Sequence, residues 1–329
     1  MPGRKKILVF TLTGLFLLLL LLYSLCSGSI PLGPGQLLRG LFLAYDETVA
    51  AVQDLRFPRI LIALLAGAAL GTAGCLLQSV LHNPLADPGI IGVSGGASFV
   101  YTIVAFFLPQ LFFFLPFFAF LGGALGFFLV YILAARDGHK PVHLLLIGVA
   151  INALFLGLVQ ALTYMTGQIM GAMPGLTLVN IGMKGWSDVQ LLLCYVPLGL
   201  LVAFCCHHLC DLMMLEEQTV ESLGLRVGRI RIGISLLAVF LASMVTSVVG
   251  VISFLALLVP HAARRLVGQT HRVLLPYSAL LGALVFLLCD SFGRIVFSPV
   301  EIPASIVMTV VGGPLFVLLL RKGRRLGHA

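Results

Sequence analysis

Charge is what this sequence has least of. Only 10% of its 329 residues are Asp, Glu, Lys or Arg, against roughly 25% in a soluble domain. A chain this poor in charge cannot clothe a water-facing surface, which excludes a soluble globular protein. Several runs of about 20 residues carry no charge at all, long enough to cross a bilayer. None of the expected spans has an Asp, Glu, Lys or Arg at its centre. Proton- and sodium-coupled carriers keep such groups at mid-membrane, so the absence argues against ion coupling and for energy supplied from outside the chain. No G-x-x-x-x-G-K-[ST] occurs, so the chain does not itself bind ATP through a P-loop. It also has no H-E-x-x-H, and no paired aspartates lie within its apolar runs, so it lacks these two motifs of intramembrane hydrolases and reads as no enzyme.

Cysteine is present without a pattern. The seven are dispersed and give no disulfide framework. Cys205, Cys206 and Cys210, beside His207 and His208, form the only cluster. Metal ligation there competes with small, apolar-like cysteines at a helix end, and we assign no metal.

What is there is apolar: 60% of the residues are hydrophobic and the mean hydropathy is +1.12. The fold class is therefore an all-α integral membrane protein, a single transmembrane domain over 1–329. Spans are expected at 7–26, 60–81, 90–108, 111–135, 142–166, 189–209, 232–248, 251–266, 273–289 and 303–320. The first has a basic start, but its apolar run is too long for a signal-peptide core, so it reads as an uncleaved span. Residues 36–53 suit a short interfacial helix.

The formal net charge of +8 is explained by basic residues gathering on the cytoplasmic side, and no nucleic-acid partner is implied. Residues 232–263 admit one span or two. With ten spans and a cytoplasmic N-terminus, 15 of the 20 Lys and Arg residues lie inside, and with nine the bias disappears. Ten spans put both termini in the cytoplasm. They place Arg56, Arg59 and Arg294 on the outer face. The HNPLADP turn (82–88), the segment 211–231 and PHAARR (260–265) fall on the inner face.

The organising stretch is 56–97. Gly67, Gly71 and Gly74 carry the small-residue spacing that lets helices approach closely. Gly122 and Gly126 repeat it more weakly. Asn83 and Pro84 end span 2, and Asp87-Pro88 places a carboxylate to cap span 3, so the turn is structural. Glu216, Glu217 and Glu221 ahead of Arg226, Arg229 and Arg231 suit a short helix with a turn at Gly224, open to solvent or docked on a partner. Mid-span polar residues are few: Asn152, Gln160 and Thr163, and later Thr246 and Ser247.

Five ordered motifs now bear on identity: RFPR with LLAGAALGTAGCLLQSVLHNPLADPGIIGVSGGA (56–97), ESLGL (221–225), LLVPHAARRLVG (257–268), HRVLLPYSALLGA with Asp290 and Arg294, and EIPASIVMTVVGGPLF (301–316). Together they closely resemble the iron-siderophore and cobalamin (FecCD-type) ABC importer permeases, type II importers with ten helices per subunit. The resemblance implies a homodimer or a pair of similar permeases in a bacterial inner membrane. It also implies separate ABC ATPase subunits that use ATP and Mg, and a periplasmic or lipid-anchored substrate-binding protein. It assigns docking of that protein to Arg56, Arg59 and Arg294. Coupling to the ATPase falls to Glu216, Glu217, Glu221, Ser222, Leu223, Gly224 and Leu225. Substrate passes along the dimer axis, with Asn152, Gln160 and Thr163 as candidate lining. No cofactor is implied on this chain. Ferric siderophore is the first expected substrate, then haem or cobalamin. A secondary carrier or channel, which needs no ATPase, is the competing class. Ser253 and Ala256 stand where the family usually has glycine.

Overall fold

The computed structural model describes residues 3–27, 33, 35–36, 47–135, 141–170, 181–296 and 300–326. Among them every regular element is helical. In chain order these are α1 (Gly3–Cys26), α2 (Glu47–Val80), α3 (Val93–Phe107), a 3-10 turn (Pro109–Phe114), α4 (Leu115–Ala135), α5 (Pro141–Met170) and α6 (Trp186–Cys205). Two short helices follow, α7 (His207–Leu212) and α8 (Glu217–Ser222), then α9 (Val227–Val249), α10 (Leu255–Val267), α11 (His271–Ile295) and α12 (Ala304–Leu326). Setting aside α7 and α8, ten helices fall where ten spans were expected. Seven are long and apolar enough to cross a membrane. At 15 and 13 residues, α3 and α10 are shorter than a typical crossing, which takes about 20.

Among the boundaries that differ from expectation, three have a visible structural cause. The second span starts at Glu47 instead of residue 60, so residues 47–53 belong to α2 and form no separate interfacial helix; 36 is helical and the intervening 37–46 lie outside the described residues. The RFPR motif is thus inside a 34-residue helix, about 51 Å long at 1.5 Å per residue. Span 3 starts at Val93, because the turn after α2 runs on to Gly92, whose φ of +83° is left-handed. Span 8 starts at Leu255, because Gly250 (φ +75°) and Phe254 (φ +67°) break the chain between α9 and α10.

α2 is the centre of the bundle and packs against α6, α9, α10 and α11. Lipid offers no hydrophobic drive for helices to associate, so close approach between small residues takes its place. A Cβ added to Gly74 would lie 1.8 Å from the Ala256 carbonyl oxygen, and one on Gly67 2.3 Å from that of Gly282. The glycine spacing of α2 therefore serves contact within this chain, and Gly122 of α4 does the same against Gly96 of α3. Peripheral α1 leans on α11, where Phe10 meets the Tyr277 ring edge-on and Thr13 Oγ1 lies 3.0 Å from the Tyr277 hydroxyl. Its other face exposes Leu8, Leu12, Leu15 and Leu19, as a lipid-facing surface does.

Candidate functional site

Two polar clusters stand at opposite ends of α2. The arginine end collects Arg56 and Arg59 from α2, Asp290 and Arg294 from α11, Glu301 ahead of α12, and the C-terminus of α1. Arg59 Nε meets both carboxylate oxygens of Asp290 at 3.0 Å, and its Nη1 donates to Glu301 Oε2 at 2.6 Å. Asp290 and Arg294 stand four residues apart in α11, but it is Arg59 that Asp290 bonds. Arg294 Nη2 instead donates to the Ser24 carbonyl at 2.7 Å and to Ser24 Oγ at 2.9 Å. Arg56 Nη1 donates to the Leu25 carbonyl at 2.7 Å. These carbonyls belong to the last turn of α1, where a helix has no internal donors and its dipole is negative. Two arginines from distant parts of the chain therefore cap the first helix.

The three arginines expected to receive a binding protein are thus brought together, but all three are buried, at 7%, 5% and 6% exposure for Arg56, Arg59 and Arg294. Asp290 is buried as well, whereas the Glu301 side chain is 37% exposed. Among the described residues, Arg59 Nη2 and Arg294 Nε are buried without a hydrogen-bond partner. The cluster keeps donor capacity beneath a solvent-facing carboxylate.

The opposite end is the turn end. His82 takes a left-handed conformation (φ +47°) straight after α2. Asn83 Oδ1 accepts from the Leu85 N–H at 2.9 Å, and Asp87 Oδ1 from the Gly89 N–H at 2.6 Å. Pro84 and Pro88 lie within these turns, and the Pro88 carbonyl accepts from the Ser94 N–H at 3.2 Å. Asp87 does not cap α3, whose N-cap is Gly92 with no side-chain bond. Burial pushes its carboxyl up to about 6, and the N–H groups of Gly89, Ile90 and Leu257 draw it down against that. The participation of Leu257, in the first turn of α10, sets this carboxyl at the N-terminus of α10 instead. Asn152 of α5 supplies the missing bond of α3: its Oδ1 accepts from the Gly95 N–H at 2.9 Å.

Sequence reasoning missed a third group at this end. His271, the first residue of α11, holds Asp211 Oδ1 at 2.7 Å through Nδ1, and its Nε2 lies 2.5 Å from Ser79 Oγ. Arg264 of α10 donates to Gln78 Oε1. Gln78 Nε2 is anchored to the carbonyls of Ala256 and Leu257, each at 3.3 Å. The available signal was the run of polar residues from Arg264 to Arg272, bracketed by apolar helices. These bonds place the HNPLADP turn, segment 211–231 and PHAARR at one end, opposite the arginines, the segregation expected from counting spans.

Beyond α7, Glu217–Ser222 forms the short helix expected there, closed by Gly224 at φ +78°. Val220 is buried and anchors it, while Glu216, Glu217, Glu221, Ser222, Leu223 and Gly224 are exposed and Leu225 is half-buried. Arg231 of α9 pairs with Glu217. On α5, Thr163 bonds back to the Val159 carbonyl at 2.8 Å, and only Gln160 of the three candidate lining residues is fully exposed. Among the described residues no three His, Cys, Asp or Glu side chains group to hold a metal; Cys205 is exposed and Cys210 buried. A G-x-S-x-G pattern occurs at 92–96, but Gly96 there is pressed against the Gly122 backbone and no histidine is bonded to Ser94 among the described residues.

Ten helices of this order among the described residues, with a polar cluster at each end of the central helix, describe a polytopic membrane protein. The model of the FecCD transport family matches residues 16–322, and the chain belongs to that family. It is 38% identical over 325 residues to "Probable heme-iron transport system permease protein IsdF" of Staphylococcus aureus strain MSSA476, covering 99% of each chain. The protein of that name from the bovine strain RF122 / ET3-1 matches at the same identity and coverage. A solved structure described as "An inward-facing conformation of a putative metal-chelate type ABC transporter" superposes with a TM-score of 0.79 at 27% identity, covering 96% of this chain and 99% of that one. This chain is therefore a permease of the FecCD transport family. The family is one of transport permeases, which act with ATPase and substrate-binding partners.

Proposed function

We propose that this permease imports an iron chelate, with haem iron placed ahead of ferric siderophore and cobalamin. The observation that carries this is the 38% identity across 99% of both chains to proteins named for heme-iron transport. In this reading the arginine end faces outward and the turn end faces the cytoplasm, with both termini inside a bacterial inner membrane. The 15-to-5 division of basic residues supports that orientation. Two copies of the chain form the transporter, and a separate ATPase using ATP and Mg drives it through two states with different nucleotide affinity.

The outer partner is a periplasmic or lipid-anchored substrate-binding protein. Because Arg59 already holds the half-exposed Glu301, docking exchanges Glu301 for a carboxylate of that protein, with Arg56 and Arg294 fixing the platform beneath. The ATPase meets α8, whose buried Val220 anchors it and whose Glu216, Glu217, Glu221, Ser222, Leu223, Gly224 and Leu225 form the contact. Substrate moves along the dimer axis. Gln160 is the strongest lining candidate, since it is exposed and Gly157 beside it has open space in place of a side chain. Asn152 and Thr163 contribute backbone bonds first and lining second.

The test is reconstitution in proteoliposomes with the cognate ATPase and binding protein. ATP-dependent accumulation of haem, with little of ferric siderophore, is the expected result. Accumulation of siderophore or cobalamin without haem overturns the substrate assignment.

A further inference from the structure

At the turn end lies a cavity of about 260 Å³, lined by the end of α2 (Gln78, Ser79, His82), Asn83 and Pro84 of the turn, Met214 just before α8, Arg264, and Gln269 with His271 and Leu274. We infer that this cavity is a socket for one acidic side chain of the ATPase subunit, seated on Arg264. The inference rests on the ABC-importer reading above and adds to it a contact outside α8.

Four observations carry it. First, the lining contains no carboxylate among the described residues. Arg264 has no salt-bridge partner among the described residues, its bond to Gln78 being to a neutral amide oxygen. The one nearby carboxylate, Asp211, is held by both the backbone N–H and the ring of His271. A half-buried guanidinium without a counter-ion favours a carboxylate, which it can engage through paired N–H donors. Second, the remaining lining polar groups include donors suited to an anion: the Asn83 amide, whose oxygen is already occupied by Leu85, the Gln269 amide and the His82 ring. Third, the rim is cationic, with Arg265 and Arg272 exposed beside it, so it attracts an acidic protein surface before contact. Fourth, the volume is below the roughly 300–1,000 Å³ of small-molecule pockets. It suits a side chain and its waters, whereas a metal chelate the size of haem does not fit.

The socket is also tied to the moving parts. Its back wall is the Asp211–His271–Ser79 chain, which joins α7, α11 and α2. A carboxylate entering on Arg264 therefore bears on the most buried helix of the bundle and on the segment leading into α8 together.

The experiment measures binding of the cognate ATPase to the purified full-length permease in neutral-lipid nanodiscs. Wild type must bind; absence of any wild-type binding counts against the importer reading itself and separates that failure from this one. Arg264→Gln is expected to weaken binding at least tenfold. Arg229→Gln, which removes an exposed charge not among the cavity's lining residues, is expected to change it less than threefold. Gln269→Glu, at an exposed position, places a competing carboxylate at the mouth and is expected to weaken binding similarly with an unchanged melting temperature, which covers the case in which Arg264→Gln does not fold. Substituting the matching ATPase acid by arginine should restore affinity to Arg264→Glu. Equal binding by wild type and Gln269→Glu overturns the inference. So does a loss confined to nanodiscs containing phosphatidylglycerol, which assigns the socket to a lipid phosphate.

Discussion

Arg59 stands in a buried pair with Asp290 and also holds Glu301. Taking two charges from water is costly, and removing one partner leaves the other stranded. Asp290→Leu is therefore expected to destabilise the detergent-solubilised protein by about 3 kcal/mol, read from denaturant or thermal unfolding. The double variant Arg59→Met/Asp290→Leu should recover most of that loss, since the half-exposed Glu301 can turn to water. A double variant no more stable than the single one contradicts the pairing. Asp87 makes a second prediction. Its carboxyl is raised from 3.8 to about 6 by burial, so between these values the folded chain binds a proton that the unfolded chain has released. The stability from this group is complete below about pH 4 and is lost as pH rises through 6, a change of about 3 kcal/mol at about 1.4 kcal/mol per unit. Asp87→Asn should flatten that part of the stability–pH curve; an unaltered slope contradicts the assignment. Neither feature was legible in the sequence. Asp290 lies 231 positions from Arg59, and a lone Asp-Pro reads as a cap for the nearest helix, while this one faces a helix more than 160 residues on.

At the scale of the helix, the sequence shows the existence and order of the ten spans, because a bilayer demands about 20 apolar residues wherever the chain crosses. Boundaries fail where that demand is suspended. Hydropathy counts Asp54, Arg56 and Arg59 as the outside of span 2, yet α2 continues through them because Arg56 and Arg59 find partners within the bundle. Pro58 does not break α2. α10 starts late because Phe254 adopts a conformation usual for glycine, and its ring is held there against Phe316 at a centroid distance of 6.2 Å. The unusual Ala256 lies where α2 comes closest, and it is Gly74 that leaves room for it. Gly74→Leu is expected to force α2 from α10 and cost more than the 1–3 kcal/mol of ordinary overpacking, because the obstacle is backbone and cannot rotate away. Gly157→Leu, with nothing within 4 Å, serves as the control and should leave the melting temperature unchanged. Equal effects contradict this account of the α2–α10 contact.

Across the whole molecule, the clamp on α1 has a consequence for how the protein is made. Ser24 and Leu25 are synthesised long before Arg294, whose guanidinium closes on Ser24 from 270 residues further along the chain. Tyr277, the other anchor of α1, arrives equally late. α1 is the least inward-facing of the long apolar helices, so during synthesis it has little but Arg56 to hold it and must wait in lipid beside the insertion machinery. Final assembly of the first helix is thus coupled to delivery of the eleventh. A nascent chain arrested after residue 270 should leave paired cysteines placed in α1 and α2 slow to cross-link, and extension past residue 300 should make the cross-link fast. Equal rates at both lengths would mean that α1 docks without its late partners.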